Sequence, residues 1–362
     1  MYCKAERNEM KMKKRLLLIL IVILLAMTIA GCSTASKQDN QSAQEKTITD
    51  MDGNAVQLPA KVEKIGTSWP GFINTLCVAG GADKIVASSD QIKNYPWALK
   101  IFPNLSSVNY PFSTAGTSIE ELIKNKPDVV FLRSGDDIDK IKEAGIPVVM
   151  IDYKNNSIND MVDAVTLVGS ILGDSETKQA AKYKDFVTKN VDKINSVTSK
   201  VSDAQKPKVL ALSVTGSKLS TWGSNIIQNE EIKIAGGVNV AENDISGSKE
   251  VSMEQVLQWN PDDIFLVGNL TDRTNLLNDS KFSQLSAVIN GKVFVVPKGV
   301  FVWSNLGSET ALYLPWMAKN LYPDQLKDLD ISAQTKDFYK TFFNYNLSDD
   351  ELTRILNAQD PQ

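Results

Sequence analysis

The chain has 362 residues, a formal net charge of −4 at pH 7, 43% hydrophobic residues and no histidine. The lack of histidine excludes histidine-ligated zinc, manganese or haem and catalytic triads with a histidine base. Without residues 1–31, which carry six basic and two acidic residues, the net charge is −8, which argues against nucleic acid as a partner.

The first 31 residues have the pattern of a signal peptide. Four basic residues between positions 11 and 15 precede the uncharged apolar run 16–30, which is short for a transmembrane helix. The following Ile29-Ala30-Gly31-Cys32 is similar to the bacterial lipobox, which implies that Cys32 is acylated and anchors the protein on the extracytoplasmic face of a cell membrane. A plain secretory leader with a chance cysteine is the alternative. Residues 32–46 are polar and predict a flexible, lipidated tether.

The next segment predicts the start of an α/β lobe. Residues 47–59 alternate around Asp52-Gly53, which indicates a hairpin. A loop with Trp69 then precedes a helical run that ends at Val78, before two glycines. Cys77 lies in this apolar run and is predicted to be a buried thiol.

Two stretches of fifteen residues, 118–132 and 252–266, resemble each other at a spacing of 134 positions. They read SIEELIKNKPDVVFL and SMEQVLQWNPDDIFL, with six identical positions. Ser118 and Ser252 are predicted helix N-caps, with Glu121 and Gln255 completing capping boxes. Apolar residues at i, i+3 and i+4 predict a helix, and the run after each proline predicts a buried strand. The repeat therefore indicates two related α/β lobes.

Glu120 and Glu254 occupy the same position in the two copies, away from the apolar face of each helix. An acidic residue in the first turn is favoured by the helix dipole alone. The alternative is a matched pair of carboxylates, one on each lobe, that is presented to a partner.

Helical periodicity over residues 158–172 and 176–201 predicts a connection between the lobes that includes one long helix. The predicted domains are a signal peptide (1–31), a tether (32–46), an N-terminal lobe (47–156), interlobe helices (157–204) and a C-terminal lobe (205–362). The fold class is therefore α/β, with two three-layer lobes, one long connecting helix and a ligand cleft between the lobes.

The segments DMDGNAVQLPAKVEKI, SIEELIKNKPDVVF, VSMEQVLQWNPDDI, WMAKNLYPDQLKDLDI and FYKTFFNYNLSDDEL resemble the substrate-binding lipoproteins of ABC importers for iron-siderophores, haem and vitamin B12. The resemblance implies two lobes joined by one helix and a monomer that delivers a small metal chelate to a permease and its ATPase. It also implies that Glu120 and Glu254 dock onto that permease, through weak and reversible ion pairs.

Ligands of open α/β sheets bind beyond the C-terminal ends of the strands. Loops at such positions supply the predicted ligand-binding residues, which are Trp69, Tyr110, Arg133, Tyr153, Trp222, Arg273 and Trp303. Arg133 and Arg273 follow the two repeats and are expected on opposite sides of the cleft. Guanidinium groups bind oxyanions, which suits an anionic iron chelate. The three tryptophans are expected to contact ligand because rings in loops rich in glycine or serine are hard to bury.

The leading hypothesis is a binding protein for an iron(III)-siderophore. Vitamin B12, haem or another metal chelate stay open as ligands, and a surface sensor or adhesin is a more remote alternative. No nucleophile–base pair or metal-ligand cluster is recognisable in the sequence, so neither catalytic nor metal-binding residues nor a resident cofactor is predicted.

Overall fold

The computed structural model describes residues 45–362. The predicted signal peptide, Cys32 and most of the predicted tether lie outside the described residues. Within 45–362, no helix combines the length and the apolar character needed to span a membrane.

The N-terminal lobe begins with the predicted hairpin, which pairs β1 (Lys46–Thr49) with β2 (Ala55–Leu58). The Asp50 carboxylate closes its turn by accepting hydrogen bonds from the backbone N–H groups of Asp52 (3.0 Å) and Asn54 (2.8 Å). A six-stranded sheet follows, in the order β6-β5-β4-β3-β7-β8, parallel except for β6. Its strands are β3 (Ile65–Thr67), β4 (Ile85–Ser89), β5 (Asn109–Ser113), β6 (Gly116–Thr117), β7 (Val129–Leu132) and β8 (Val148–Met150). Its helices are α1 (Pro70–Val78), α2 (Pro96–Ile101), α3 (Ile119–Asn125) and α4 (Ile138–Glu143).

Two helices connect the lobes, as predicted: α5 (Ile158–Leu172) and α6 (Asp174–Thr198). The 25 residues of α6 form a helix about 37 Å long at 1.5 Å per residue. This interlobe helix is bonded to both lobes, because Gln179 Nε2 donates to Val78 O (2.9 Å) and Tyr183 OH donates to Ser308 O (3.0 Å). It therefore forms a continuous support behind the two lobes.

The C-terminal lobe contains a second six-stranded sheet, in the order β12-β10-β9-β13-β14, with β11 paired to β9. Its strands are β9 (Lys208–Thr215), β10 (Lys218–Trp222), β11 (Val238–Asn239), β12 (Ser248–Val251), β13 (Asp263–Val267) and β14 (Val293–Val295). Its helices are α7 (Ile227–Ile234), α8 (Met253–Trp259), α9 (Leu270–Asn278), α10 (Ser286–Ile289), α11 (Thr310–Leu321), α12 (Ile331–Phe343) and α13 (Asp349–Leu356).

The repeated segments form the same unit in each lobe, a helix (α3 or α8) followed by the strand next to an edge strand of the sheet (β7 beside β8, β13 beside β14). The predicted capping boxes are wrong. Ser252 accepts from the Gln255 backbone N–H (3.2 Å) without a return bond, and the Ser118 side chain makes no capping bond. Glu121 pairs instead with Lys124, whose ammonium lies 2.8 Å from its carboxylate.

Side-chain alternation along the strands places each sheet between two apolar layers. In β7, Val129 and Phe131 face a large central core, whereas Val130 and Leu132 face a separate outer core. In the other lobe Phe265 faces the same central core, which also takes in buried residues of α5 and α6. The interlobe helices and the two lobes are therefore held by one continuous hydrophobic core, and each lobe has the predicted three layers. Cys77 is buried in that core, as predicted.

Candidate functional site

The two lobes meet at a group of aromatic rings that we call the interlobe aromatic cluster: Trp69, Phe72, Tyr95 and Tyr153 from the N-terminal lobe and Phe301 from the C-terminal lobe. Trp69 is the extended N-cap residue of α1, directly before Pro70. Its ring covers Gly71 so closely that a Cβ at Gly71 would collide with it. The centroids of Trp69 and Phe301 are 5.5 Å apart, edge to face, across the boundary between the lobes.

Arg133 lies beside this cluster, as the sequence predicted for a residue that follows β7. Its guanidinium carbon is 5.4 Å from the Trp69 ring centroid, and the side chain is exposed. Asp136 fixes the local backbone by accepting from Arg133 N–H (3.1 Å) and from Ser68 Oγ (2.5 Å). Within the described chain the guanidinium forms no ion pair, so it is available to an anion.

Tyr153 lies beneath the cluster and is only 8% exposed. Its ring packs against Phe72 (5.9 Å between centroids), and its hydroxyl is 3.4 Å from Thr75 Oγ1. Burial raises the pKa of the phenol, so Tyr153 stays protonated at neutral pH. Its predicted contact with a ligand stays a prediction.

Polar groups accompany the aromatic rings on both sides of the cleft. Asn156 Nδ2 donates to Asn225 O (3.2 Å) across it. Thr67, two residues before Trp69, and Ser304, three residues after Phe301, are buried, and their hydroxyl oxygens have no hydrogen-bond partner among residues 45–362. Unsatisfied buried hydroxyls are uncommon, and here they occur in the two segments that meet at the cleft.

Two predicted ligand-binding residues are placed differently from what the sequence suggested. Trp303 is 0% exposed, and its indole N–H donates to a carboxylate oxygen of Glu309 (3.3 Å), so the expectation that its ring is hard to bury is wrong. Tyr110 lies in strand β5 and not in a loop. Its hydroxyl donates to Leu105 O (2.7 Å), and Lys93 lies over its ring at 4.5 Å.

Arg273 does not mirror Arg133. It lies within helix α9, and its Nε donates to the carbonyl of Val293 (2.7 Å), at the start of edge strand β14. The expected arginine pair across the cleft is therefore wrong. The guanidinium of Arg273 lies at the N-terminal end of β14, whereas ligands bind beyond the C-terminal ends of the strands. Trp222 lies at the end of β10, half-buried, with its carbonyl accepting from Asn239 Nδ2 (2.9 Å). Its contact with a ligand stays a prediction.

The sequence reasoning missed Phe301 and Tyr95, whose rings are 5.0 Å apart at the edge of the cluster. Neither lies in a recognisable motif, and no local pattern separates them from ordinary core aromatics. Only the long-range packing of the two lobes brings them together.

Glu120 and Glu254 are both exposed on the first turns of α3 and α8. Lys124 approaches Glu120 at 3.2 Å, but the Glu120 side chain remains 83% exposed. Hydrogen bonds from its own backbone N–H and from Ser252 lower the pKa of Glu254, so this group is ionised at neutral pH. The two carboxylates are accessible to a partner, and their docking role stays a prediction.

A family model described as periplasmic binding protein matches residues 73–300, more than half of the chain. The chain is 26% identical over 341 residues to the molybdate-binding protein MolA of Haemophilus influenzae. The alignment covers 86% of this chain and 94% of MolA. It is 25% identical over 305 residues to the iron(3+)-hydroxamate-binding protein YxeB of Bacillus subtilis, covering 78% of this chain and 89% of YxeB.

Solved structures agree with this assignment. A periplasmic solute-binding protein of Veillonella parvula is 30% identical, with a TM-score of 0.75 over 86% of this chain and 97% of the other. MolA bound to molybdate has the same fold, with a TM-score of 0.74 at 23% identity over 84% of this chain and 99% of the other. The chain therefore belongs to the periplasmic binding protein family and is a substrate-binding protein of an ABC transporter, not an enzyme.

Proposed function

We propose that this protein binds a compact metal-containing oxyanion, of the molybdate kind, in the interlobe cleft and delivers it to an ABC permease. The observation that carries the proposal is the exposed guanidinium of Arg133, which forms no ion pair among residues 45–362 and lies against the Trp69 ring. The Phe301 ring of the other lobe is 5.5 Å from the Trp69 ring at this boundary. A guanidinium presents a rigid fork of donors that suits an oxyanion.

The short distances between the two sides of the cleft favour a small ligand. The rings of Trp69 and Phe301 touch, and Asn156 is bonded directly to Asn225 across the cleft. A small anion needs only a slight separation of these groups, whereas a large chelate requires the lobes to part. The two unsatisfied hydroxyls, Thr67 and Ser304, supply additional donors for a ligand with several oxygens. The resemblance to MolA over 86% of the chain supports the same choice.

An iron(III)-siderophore is the second candidate. The resemblance to the hydroxamate-binding protein YxeB supports it, and so does the exposed pairing of Arg133 with an aromatic face, which suits a chelate with a negative charge. Haem through a tyrosine ligand is less favoured, because the buried and neutral Tyr153 is not poised to act as a phenolate.

A titration series separates these ligands. The purified protein is titrated with molybdate, sulfate, ferric hydroxamate, ferric catecholate, hemin and cobalamin, and binding is followed by tryptophan fluorescence. We expect saturable binding of molybdate, with sulfate as the test of discrimination among tetrahedral anions. Binding of ferric catecholate or ferric hydroxamate without molybdate would favour the second candidate, and binding of only hemin or cobalamin would refute both.

We also propose that Cys32 carries the lipid anchor on the extracytoplasmic face of the cell membrane, and that Glu120 and Glu254 orient the monomeric protein on its permease and ATPase complex. The lipobox-like residues 29–32 support the first statement, and the exposure of both glutamates supports the second. Labelling with a palmitate analogue in cells tests the anchor, because Cys32→Ser should abolish the label. A labelled Cys32→Ser protein would refute it.

A further inference from the structure

Glu309 is a buried carboxylate at the junction of both lobes and the C-terminal helices, with only 1% of the residue exposed. Five donors surround its two oxygens. They are Asn74 Nδ2 (3.2 Å), the backbone N–H groups of Val300 (3.3 Å) and Phe301 (2.6 Å), Trp303 Nε1 (3.3 Å) and the hydroxyl of Tyr339. Asn74 belongs to the N-terminal lobe, so this one side chain connects the two lobes.

The donor set fits the ionised form of Glu309. An ionised carboxylate only accepts hydrogen bonds, and bonds to a charged acceptor are about twice as strong as neutral ones. Oε1 receives three of the donors, from Val300, Trp303 and Tyr339, and Oε2 receives the other two. A proton on either oxygen must therefore displace a donor or reverse the Tyr339 bond, and the remaining bonds become weaker.

Three of the five donors, at Val300, Phe301 and Trp303, belong to the segment that forms the wall of the cleft in the C-terminal lobe. Phe301 contacts Trp69 and Tyr95 of the other lobe, and its backbone N–H makes the shortest of the backbone bonds to Glu309. The backbone at Gly299 lies so close to the carboxylate that an added Cβ would collide with both Glu309 and Tyr339. The position of Phe301 opposite Trp69 therefore depends on this carboxylate.

Among residues 45–362, no positive charge lies close enough to Glu309 to compensate its own. The titratable groups that face it are Cys77 on α1, Tyr183 on α6 and Tyr339 on α12, and burial raises the pKa of each, so all three are neutral near pH 7. Lys298, on the same loop, pairs with Asp360 (3.2 Å). Burial raises the pKa of Glu309 to about 7, although the surrounding donors oppose this shift.

We infer that Glu309 is a proton-sensitive positioning residue of the ligand cleft. In its ionised form it holds the wall from Phe301 to Ser304 against the N-terminal lobe, and its protonation loosens this wall and lowers the affinity for ligand. The inference rests on the proposed function only in its statement about ligand affinity.

The conformation of the segment from Phe301 to Ser304 can be followed in the absence of ligand. The protein is labelled with 5-fluorotryptophan, and the ¹⁹F resonance of Trp303 is assigned with a Trp303→Phe variant and followed from pH 5.5 to 8.5. With a pKa of about 7, the protonated fraction rises about tenfold between pH 8 and pH 6, so the resonance should titrate in this range. Glu309→Gln should abolish the titration, whereas Glu250→Gln, at an exposed carboxylate paired with Lys218, should leave it unchanged.

A second variant keeps the test decisive if Glu309→Gln does not fold. Tyr339→Phe removes one donor but leaves the carboxyl group. Because the Tyr339 bond favours the charged form, its loss should move the midpoint of the Trp303 titration to higher pH. An unchanged midpoint would show that these donors do not control the ionisation of Glu309.

The consequence for binding is measured with molybdate at pH 6 and pH 8. We expect the dissociation constant of the wild-type protein to rise by up to about tenfold from pH 8 to pH 6, because the ionised fraction of Glu309 falls about tenfold over this range. The dissociation constant of Glu309→Gln should be independent of pH. A Trp303 resonance that does not titrate, or tighter binding at pH 6, would overturn the inference. If no probe in the titration series binds, the proposed function fails, and the Trp303 resonance alone decides whether Glu309 controls the wall.

Discussion

Replacing Arg133 with alanine tests whether the cleft recognises an anion by charge. The guanidinium is exposed, lies 5.4 Å from the Trp69 ring and forms no ion pair within residues 45–362, so its removal leaves no buried group unpaired. A hydrogen bond to a charged group contributes about 1.5–3 kcal/mol, and about 1.4 kcal/mol corresponds to a tenfold change in affinity. We therefore expect Arg133→Ala to weaken molybdate binding by about 10- to 150-fold.

The assay is a fluorescence or calorimetric titration with molybdate, repeated in 0.15 M salt. Arg133→Lys keeps the charge but loses the bidentate fork and should give an intermediate affinity. Arg273→Ala is the matched control, because Arg273 Nε is bonded to Val293 O away from the cleft, and its affinity should stay within about twofold of wild type. Binding by Arg133→Ala at the wild-type level, or equal losses in the two alanine variants, would refute the reasoning.

Three further predictions concern the support and the surface of the protein. Gly169→Ala should lower the free energy of unfolding, measured with urea, by about 1–3 kcal/mol, because the added Cβ would lie 2.7 Å from the carbonyl oxygen of Glu176 where α5 meets α6. Glu231→Gln should become more stable relative to wild type as pH rises from 5 to 7. Burial raises the pKa of Glu231 well above its ordinary value, so wild-type stability is complete below the ordinary carboxyl pKa and falls by about 1.4 kcal/mol per pH unit above it. Glu120→Ala with Glu254→Ala should lower ligand uptake by cells without changing the affinity of the purified protein.

Each of these predictions has a matched control. Ser170→Ala changes an exposed position next to Gly169 and should leave the urea midpoint unchanged, and an unchanged midpoint in Gly169→Ala would refute the packing argument. Parallel pH profiles for Glu231→Gln and wild type would show that Glu231 does not hold its proton. For docking, Glu250→Ala is the control on the same lobe as Glu254, and normal uptake by the double variant would exclude the two glutamates.

The elements that the sequence predicted well are those defined by local patterns. The interlobe helix follows from a run of 25 residues without glycine or proline, and the two repeats predicted a helix and a strand in each lobe. The exposure of Glu120 and Glu254 follows from the same periodicity, because both positions lie away from the apolar face. These features depend on residues that are close together in the chain.

The errors concern side chains whose surroundings come from distant parts of the chain. The sequence predicts an open loop for Trp303, but its ring is fully buried and its indole N–H donates to Glu309. Arg273 follows the second repeat as Arg133 follows the first, yet it lies within a helix and turns toward Val293. The sequence analysis did not single out Glu309, because its donor from the other lobe is 235 positions away in the sequence.

The interlobe helix limits how the protein can report that its ligand is present. Because α6 is packed into one core shared by both lobes and is bonded to each of them, the separation between the faces that carry Glu120 and Glu254 is nearly constant. A transporter bound to both faces would contact almost the same surface whether ligand is present or absent. Any occupancy signal must therefore come from local changes around the cleft and not from a wide opening and closing of the two halves.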